Sequence, residues 1–154
     1  QNNNKDVSLF LEIVKHYRFA NKFVDAEKFI NENKQFENDD RVKFELANIY
    51  TCIEKKEQAI KIFEELINSK EINVLDVVFE LIKLYKQKQE YKKAISVIDI
   101  ALKKESKNKD LYLQKILFQR FVPDGKSAID TIKQFKENIK DIAKAISVNC
   151  TTHL

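Results

Sequence analysis

Between Asp39 and Ile67 the apolar residues fall into two helical stripes. Leu46, Ile49, Tyr50 and Ile53 stand at +3, +4 and +7, the spacing that places side chains on one face of an α-helix. Ala59, Ile60, Phe63, Leu66 and Ile67 mark one face of a second helix. The polar run Glu54-Lys55-Lys56-Glu57 between them is too short for anything but a tight helix–helix turn. Asp39 or Asp40 is placed to cap the first helix, and Asn73 or Asp76 the first helix of the next segment.

The same hairpin recurs. Tyr17, Tyr50 and Tyr85 are 33 and 35 residues apart, and an alanine follows each nine residues later, at Ala26, Ala59 and Ala94. Ala128 lies 34 residues beyond Ala94, with Gln119 at the tyrosine position. A fixed period of this length signals stacked supersecondary units. The nine-residue step takes the chain from a bulky core residue on one helix, around the turn, to a small residue that lets the partner helix approach closely. One hairpin cannot cover its own apolar stripe, whereas three or more stacked hairpins bury both faces.

At these positions the sequence resembles the tetratricopeptide repeat family. The family pattern of Leu-Gly, Tyr, then Ala-x-x-x-Phe is met at Tyr17/Ala26/Ile30, Tyr50/Ala59/Phe63, Tyr85/Ala94/Ile98 and Gln119/Ala128/Ile132. The leucine position holds Ile13, Leu46, Leu81 and Lys115. The array is degenerate: it has no tryptophan, no proline at the repeat ends, and Val14, Ala47, Ile82 and Ile116 where glycine is usual. The resemblance covers residues 6 to 137 and implies an all-α fold, an α-solenoid of four helix-turn-helix units. The units expected are 6–37, 38–72, 73–107 and 108–137, with a capping helix at 138–149 and flexible tails at 1–5 and 150–154. Ile139, Ile142, Ala143 and Ile146 would also suit a continuation of the fourth unit's second helix.

Composition agrees. One glycine and one proline in 154 residues are too few for a β-rich chain, because tight turns need both. No apolar run approaches the ~18 residues of a membrane span. The start QNNNKD and the absence of methionine suggest a processed chain or an excised fragment. Cys52 and Cys150, without metal-ligand spacing, read as reduced thiols of a cytoplasmic protein. Charge is uneven, at −4 over residues 1–82, +6 over 83–109 and +2 over 110–154.

The resemblance implies a non-catalytic scaffold or adaptor whose first helices line a concave face for a peptide or helix of a protein partner. Counted from each tyrosine, that face would carry Glu12, Lys15, Glu45, Asn48, Glu80, Lys83 and Gln87, with Leu113, Leu117 and Phe121 as an apolar end-site. The glutamates are either solvated partners of a lysine three residues on, or an acidic ladder for a partner's basic groups. The apolar trio is either covered by the C-terminal helix or is a socket for a partner's helix or a second copy of the chain. Chaperone adaptors of this fold hold a terminal carboxylate at sites matching Leu11, Lys15, Glu45, Asp76 and Glu80; only Lys15 suits that ligand.

Other chemistries find little material. Two histidines, His16 and His153, offer no acid–base constellation, His16 lying beside core Tyr17; Cys52 reads as a partly buried small apolar residue. Cys150 and His153 make half a zinc site, and no phosphate-cradling glycine loop exists. Neither a cofactor nor a metal is expected. The alternative to a protein partner is RNA or another acidic partner on the basic surface of residues 83–109, from Lys83 to Lys109. Against it, Glu12, Glu45 and Glu80 would oppose a phosphate backbone.

Overall fold

In a computed structural model of the chain, residues 2–122, 128–138 and 140 are described, with side chains from Asp6 onward. The helices are α1 (Asn2–Phe19), α2 (Phe23–Glu32), α3 (Asp40–Cys52), α4 (Lys56–Leu66), α5 (Val74–Gln87), α6 (Tyr91–Lys104) and α7 (Lys109–Gln119). A 3-10 turn, Lys34–Phe36, follows α2, and a further helix, α8, occupies 128–138. No strand occurs among the described residues. Helix α1 starts at Asn2, inside the segment expected to be a tail. The capping helix, the Pro123-Asp124-Gly125 turn and the Cys150/His153 pair lie outside the described residues.

The recurring nine-residue step has a backbone cause. The amides of Lys22, Lys55 and Glu90 each donate 2.9 Å back to the carbonyl of Tyr17, Tyr50 and Tyr85. The carbonyls of Lys22, Lys55 and Glu90 then accept from Ala26, Ala59 and Ala94, at 3.0, 3.1 and 3.1 Å. The tyrosine thus closes one helix and the alanine opens the next. Between them Asn21, Glu54 and Gln89 hold φ of 56°, 61° and 58°, the left-handed conformation that ends a helix tightly. Glycine is the residue best suited there, and none of the three turns has it. Ala26, Ala59 and Ala94 are fully buried, as close helix approach requires.

Side-chain caps start the first helices. Asp39 accepts from the Arg41 amide at 3.0 Å, Asn73 from Leu75 at 2.9 Å, and Asn108 from Asp110 and Leu111 at 3.1 and 3.2 Å. Of the two candidates for each of the first two caps, Asp39 and Asn73 are used. Asp39 also meets the Arg41 guanidinium at 2.7 Å, which holds its carboxyl below the ordinary value of 3.8 despite some burial.

The chain divides into two compact units, residues 1–84 and 85–154. In the first, α1 and α2 pack together and both pack on α3, which pairs with α4. Phe10 and Val14 of α1, Ala26 and Ile30 of α2, and Val42 and Ile49 of α3 form one continuous core. Phe10 stacks on Phe29 at 5.0 Å and meets Phe36 at 4.6 Å, so the 3-10 turn closes the hairpin with an aromatic plug. Val14, Ala47 and Ile82 are buried and fill volume that glycine would leave empty.

In the second unit α6 packs on α7. Lys115, the lysine at a leucine position, sends its ammonium to Asp99 of α6 at 2.7 Å. Gln119 is buried at the tyrosine position and donates to Thr131 of α8 at 3.0 Å. Asn138 ties the end of α8 to the Tyr112 hydroxyl at 2.6 Å and to the Ser106 carbonyl at 3.1 Å.

Candidate functional site

The repeat register places the candidate residues on successive first helices, but their environments differ. On α1, Glu12 is exposed and paired with Lys15 at 3.2 Å. On α5, Glu80 accepts from Lys83 at 2.8 and 2.9 Å. Both are helix pairs of the kind worth ~0.2–0.5 kcal/mol. Asn48 of α3 is half-buried, and Gln87 is exposed at the end of α5.

Glu45 does not belong with them. It is buried and receives a 3.0 Å hydrogen bond from Arg18 Nε, an ion pair that joins α3 to α1. An acidic ladder over all three units is therefore incorrect, because one rung is consumed inside the fold. Arg18 is a structural residue that the sequence reading passed over. The signal was there: only the first unit has an arginine just after its tyrosine and a glutamate at the matching site of the next unit. A second tie links hairpins nearby. Lys55 in the α3–α4 turn meets Glu27 of α2 at 2.6 Å and sits 5.4 Å above the Tyr50 ring. Burial first, and then Glu27, pushes the Tyr50 phenol above its ordinary value.

In the second unit, Leu113, Leu117 and Phe121 follow one another at four-residue steps and are 56%, 47% and 62% exposed. The equivalent of Leu113 on α1, Leu11, is buried, and on α3, Phe44, it packs edge-on against Phe63 at 5.7 Å. This register position thus turns outward on α7. Phe121 stacks on Tyr91 of α6 at 4.6 Å, and the pair borders a recess with Glu90 and Lys93. Lys93 and then Lys88 hold the Glu90 carboxyl below its ordinary value.

Among the basic band, Lys86, Lys92, Lys103, Lys107 and Lys109 are exposed. His16 is also exposed and lines a shallow recess with Glu12, Ile13 and Tyr17, so it is not part of the core. Cys52, the last residue of α3, is exposed rather than partly buried. Among the described residues no cluster of three His, Cys, Asp or Glu side chains could hold a metal, and no helix is long and apolar enough to cross a membrane.

No family model matches the sequence, and no curated protein matches it. Solved structures do match in fold. MamA of strain AMB-1 superposes with a TM-score of 0.68 at 16% identity, over 85% of this chain and 72% of that one. MamA from Desulfovibrio magneticus RS-1 gives 0.65 at 12% identity, over 84% and 73%. TTC0263, a thermophilic tetratricopeptide protein of Thermus thermophilus, gives 0.56 at 16% identity, over 83% and 72%. The fold is that of a tetratricopeptide-like α-solenoid, and at these identities the likeness concerns the fold alone.

Proposed function

We propose that the chain is a non-catalytic protein-interaction module, a scaffold or adaptor that takes a peptide or amphipathic helix on its first helices. The observation that supports this most is the outward-facing trio Leu113, Leu117 and Phe121 on and just beyond α7. Three large apolar side chains in one stripe match the i, i+4 anchors of a helix laid in a groove. Fully covering one such side chain contributes about 1.5–3 kcal/mol. Taken by itself, the first unit offers Glu12, Lys15, Asn48, Glu80 and Lys83 as polar contacts to a partner. Glu45 is not among them.

The test is affinity capture from a lysate of the source organism with the wild-type chain, Leu117→Asp and Glu80→Lys. The expected result is a specific protein partner, lost with Leu117→Asp and weakened with Glu80→Lys. An unchanged set of captured proteins would overturn the assignment of this surface. Recovery of RNA that disappears when Lys92, Lys103 and Lys107 are neutralised would replace it with the alternative reading.

A further inference from the structure

An apolar stripe accepts many helices, and the side chains bordering it narrow the choice. The helical path of α7 continues to Phe121, whose amide donates to the Phe118 carbonyl at 3.0 Å. Leu113, Leu117 and Phe121 therefore share a face with the residues three and four positions away. Lys109 stands four residues before Leu113, and Arg120 three after Leu117; both are exposed. Asp110, three before Leu113, is the only acid of α7, and it sits in the first turn, where the helix N-terminus already favours a carboxylate. Lys115 is turned to Asp99 of α6 and takes no part.

At the other end of the stripe, Phe121 and its stacking partner Tyr91 border a recess with exposed Lys92 and Lys93. Glu90 lines it too, but its carboxylate meets Lys93 at 2.7 Å and Lys88 at 3.1 Å, two cations for one acid. Lys88, Lys92, Lys93, Lys109 and Arg120 thus stand against Glu90 and Asp110, five positive charges to two negative.

The same register in the first unit shows what such a border binds. Arg120 follows Gln119 as Arg18 follows Tyr17, and each arginine stands seven residues after a leucine, Leu113 and Leu11. On α1 a helix covers this pair. Leu11 lies in one core with Val42 and Ile49 of α3, and Arg18 takes the Glu45 carboxylate of α3 at 3.0 Å. On α7 the leucine and the arginine are both exposed. We propose that the occupant of the α7 stripe is an acidic amphipathic helix of a partner protein. Its apolar side chains cover Leu113, Leu117 and Phe121, and its flanking carboxylates meet Arg120, Lys109 and Lys92. The inference rests on the reading of this surface as a helix-binding face and adds the charge of the helix it takes. A basic helix would bring like charges together at the border, which opposes binding. A nucleic acid would meet the cations but leave the two leucines without apolar cover.

Fluorescence anisotropy with the whole chain tests it against three synthetic peptides, each longer than the ~12–15 residues below which an isolated helix is marginal. The first has leucines at alternating three- and four-residue steps with glutamate and alanine between them. The second has lysine for every glutamate, and the third is the first in scrambled order. The acidic peptide is expected to bind, less tightly as salt rises, and the other two roughly tenfold or more weakly. Arg120→Glu and Lys92→Glu should each weaken it roughly two- to tenfold, and together they should tighten the basic peptide. Leu117→Asp should weaken it roughly ten- to hundredfold. Lys28→Glu, a reversal of equal size on α2, should change nothing, and circular dichroism verifies that every variant folds. Equal affinity for the acidic and basic peptides, lost in Leu117→Asp, keeps the apolar surface and overturns the acidic partner. Binding of neither peptide overturns the surface as well. Acidic-peptide binding that survives Leu117→Asp unchanged is general charge attraction and overturns the proposal. Binding that appears only in Ile142→Asp/Ile146→Asp assigns the stripe to the chain's own C-terminal segment and overturns it equally.

Discussion

Glu54 holds the left-handed turn of the second hairpin at φ 61° with a side chain that gains little from it. An L-residue in that conformation costs about 1–2 kcal/mol, because its Cβ crowds the following carbonyl. Glu54→Gly removes this cost. It also frees the unfolded chain, which offsets roughly 0.5–1 kcal/mol. The Glu54–Lys56 pair at 2.8 Å is lost, but the Glu54 side chain is 76% exposed and such a pair is worth about 0–1 kcal/mol at most. The net expectation is a gain of about 0.5 kcal/mol. Glu54→Ala is the informative control. It deletes the same ion pair but retains the Cβ, so it is expected to be neutral or destabilising. Urea unfolding at constant slope measures both, and a gain appears as a raised midpoint. Gln89→Gly should behave like Glu54→Gly, and Asn21→Gly should gain less, since asparagine tolerates the left-handed region. If Glu54→Gly proves no more stable than Glu54→Ala, the account of the turn is wrong.

Two further expectations concern stability. Arg18→Ala leaves the buried Glu45 carboxylate without its partner and should cost about 1–3 kcal/mol, while Arg18→Ala combined with Glu45→Leu should recover much of that; a double variant no better than the single one in thermal unfolding contradicts the ion-pair reading. Asp39→Ala removes the α3 cap and should cost about 1 kcal/mol, and Asp39→Asn less, since asparagine caps as well. Because Arg41 holds the Asp39 carboxyl below 3.8, its charge contribution is complete above that pH and is lost as pH falls through the lowered value. The stability gap between wild type and Asp39→Asn should therefore shrink in acid; a gap that is constant with pH excludes the Arg41 contribution.

The hairpins were legible because they rest on local and nearest-neighbour chemistry. Apolar spacing around Tyr50 and Ala59 names two helix faces, the short polar run names the turn, and the 33- and 35-residue recurrence names the stacking. None of this needs knowledge of distant contacts. The left-handed turn residues were not legible, since Asn21, Glu54 and Gln89 share no side-chain chemistry. What they share is a distance of four residues from the tyrosine, imposed by the 2.9 Å amide bond back to its carbonyl.

Solvent access was decided by tertiary structure alone. Glu12, Glu45 and Glu80 occupy one register position, yet Glu45 is buried because Arg18, 27 residues earlier, reaches it from a different helix. Leu11 and Leu113 also share a position, and only the first is covered. Lys115 looks misplaced at a leucine site until Asp99 is seen 2.7 Å away on α6. Periodicity specifies which way a side chain points from its own helix. Whether water or a neighbour waits there depends on the helices packed around it.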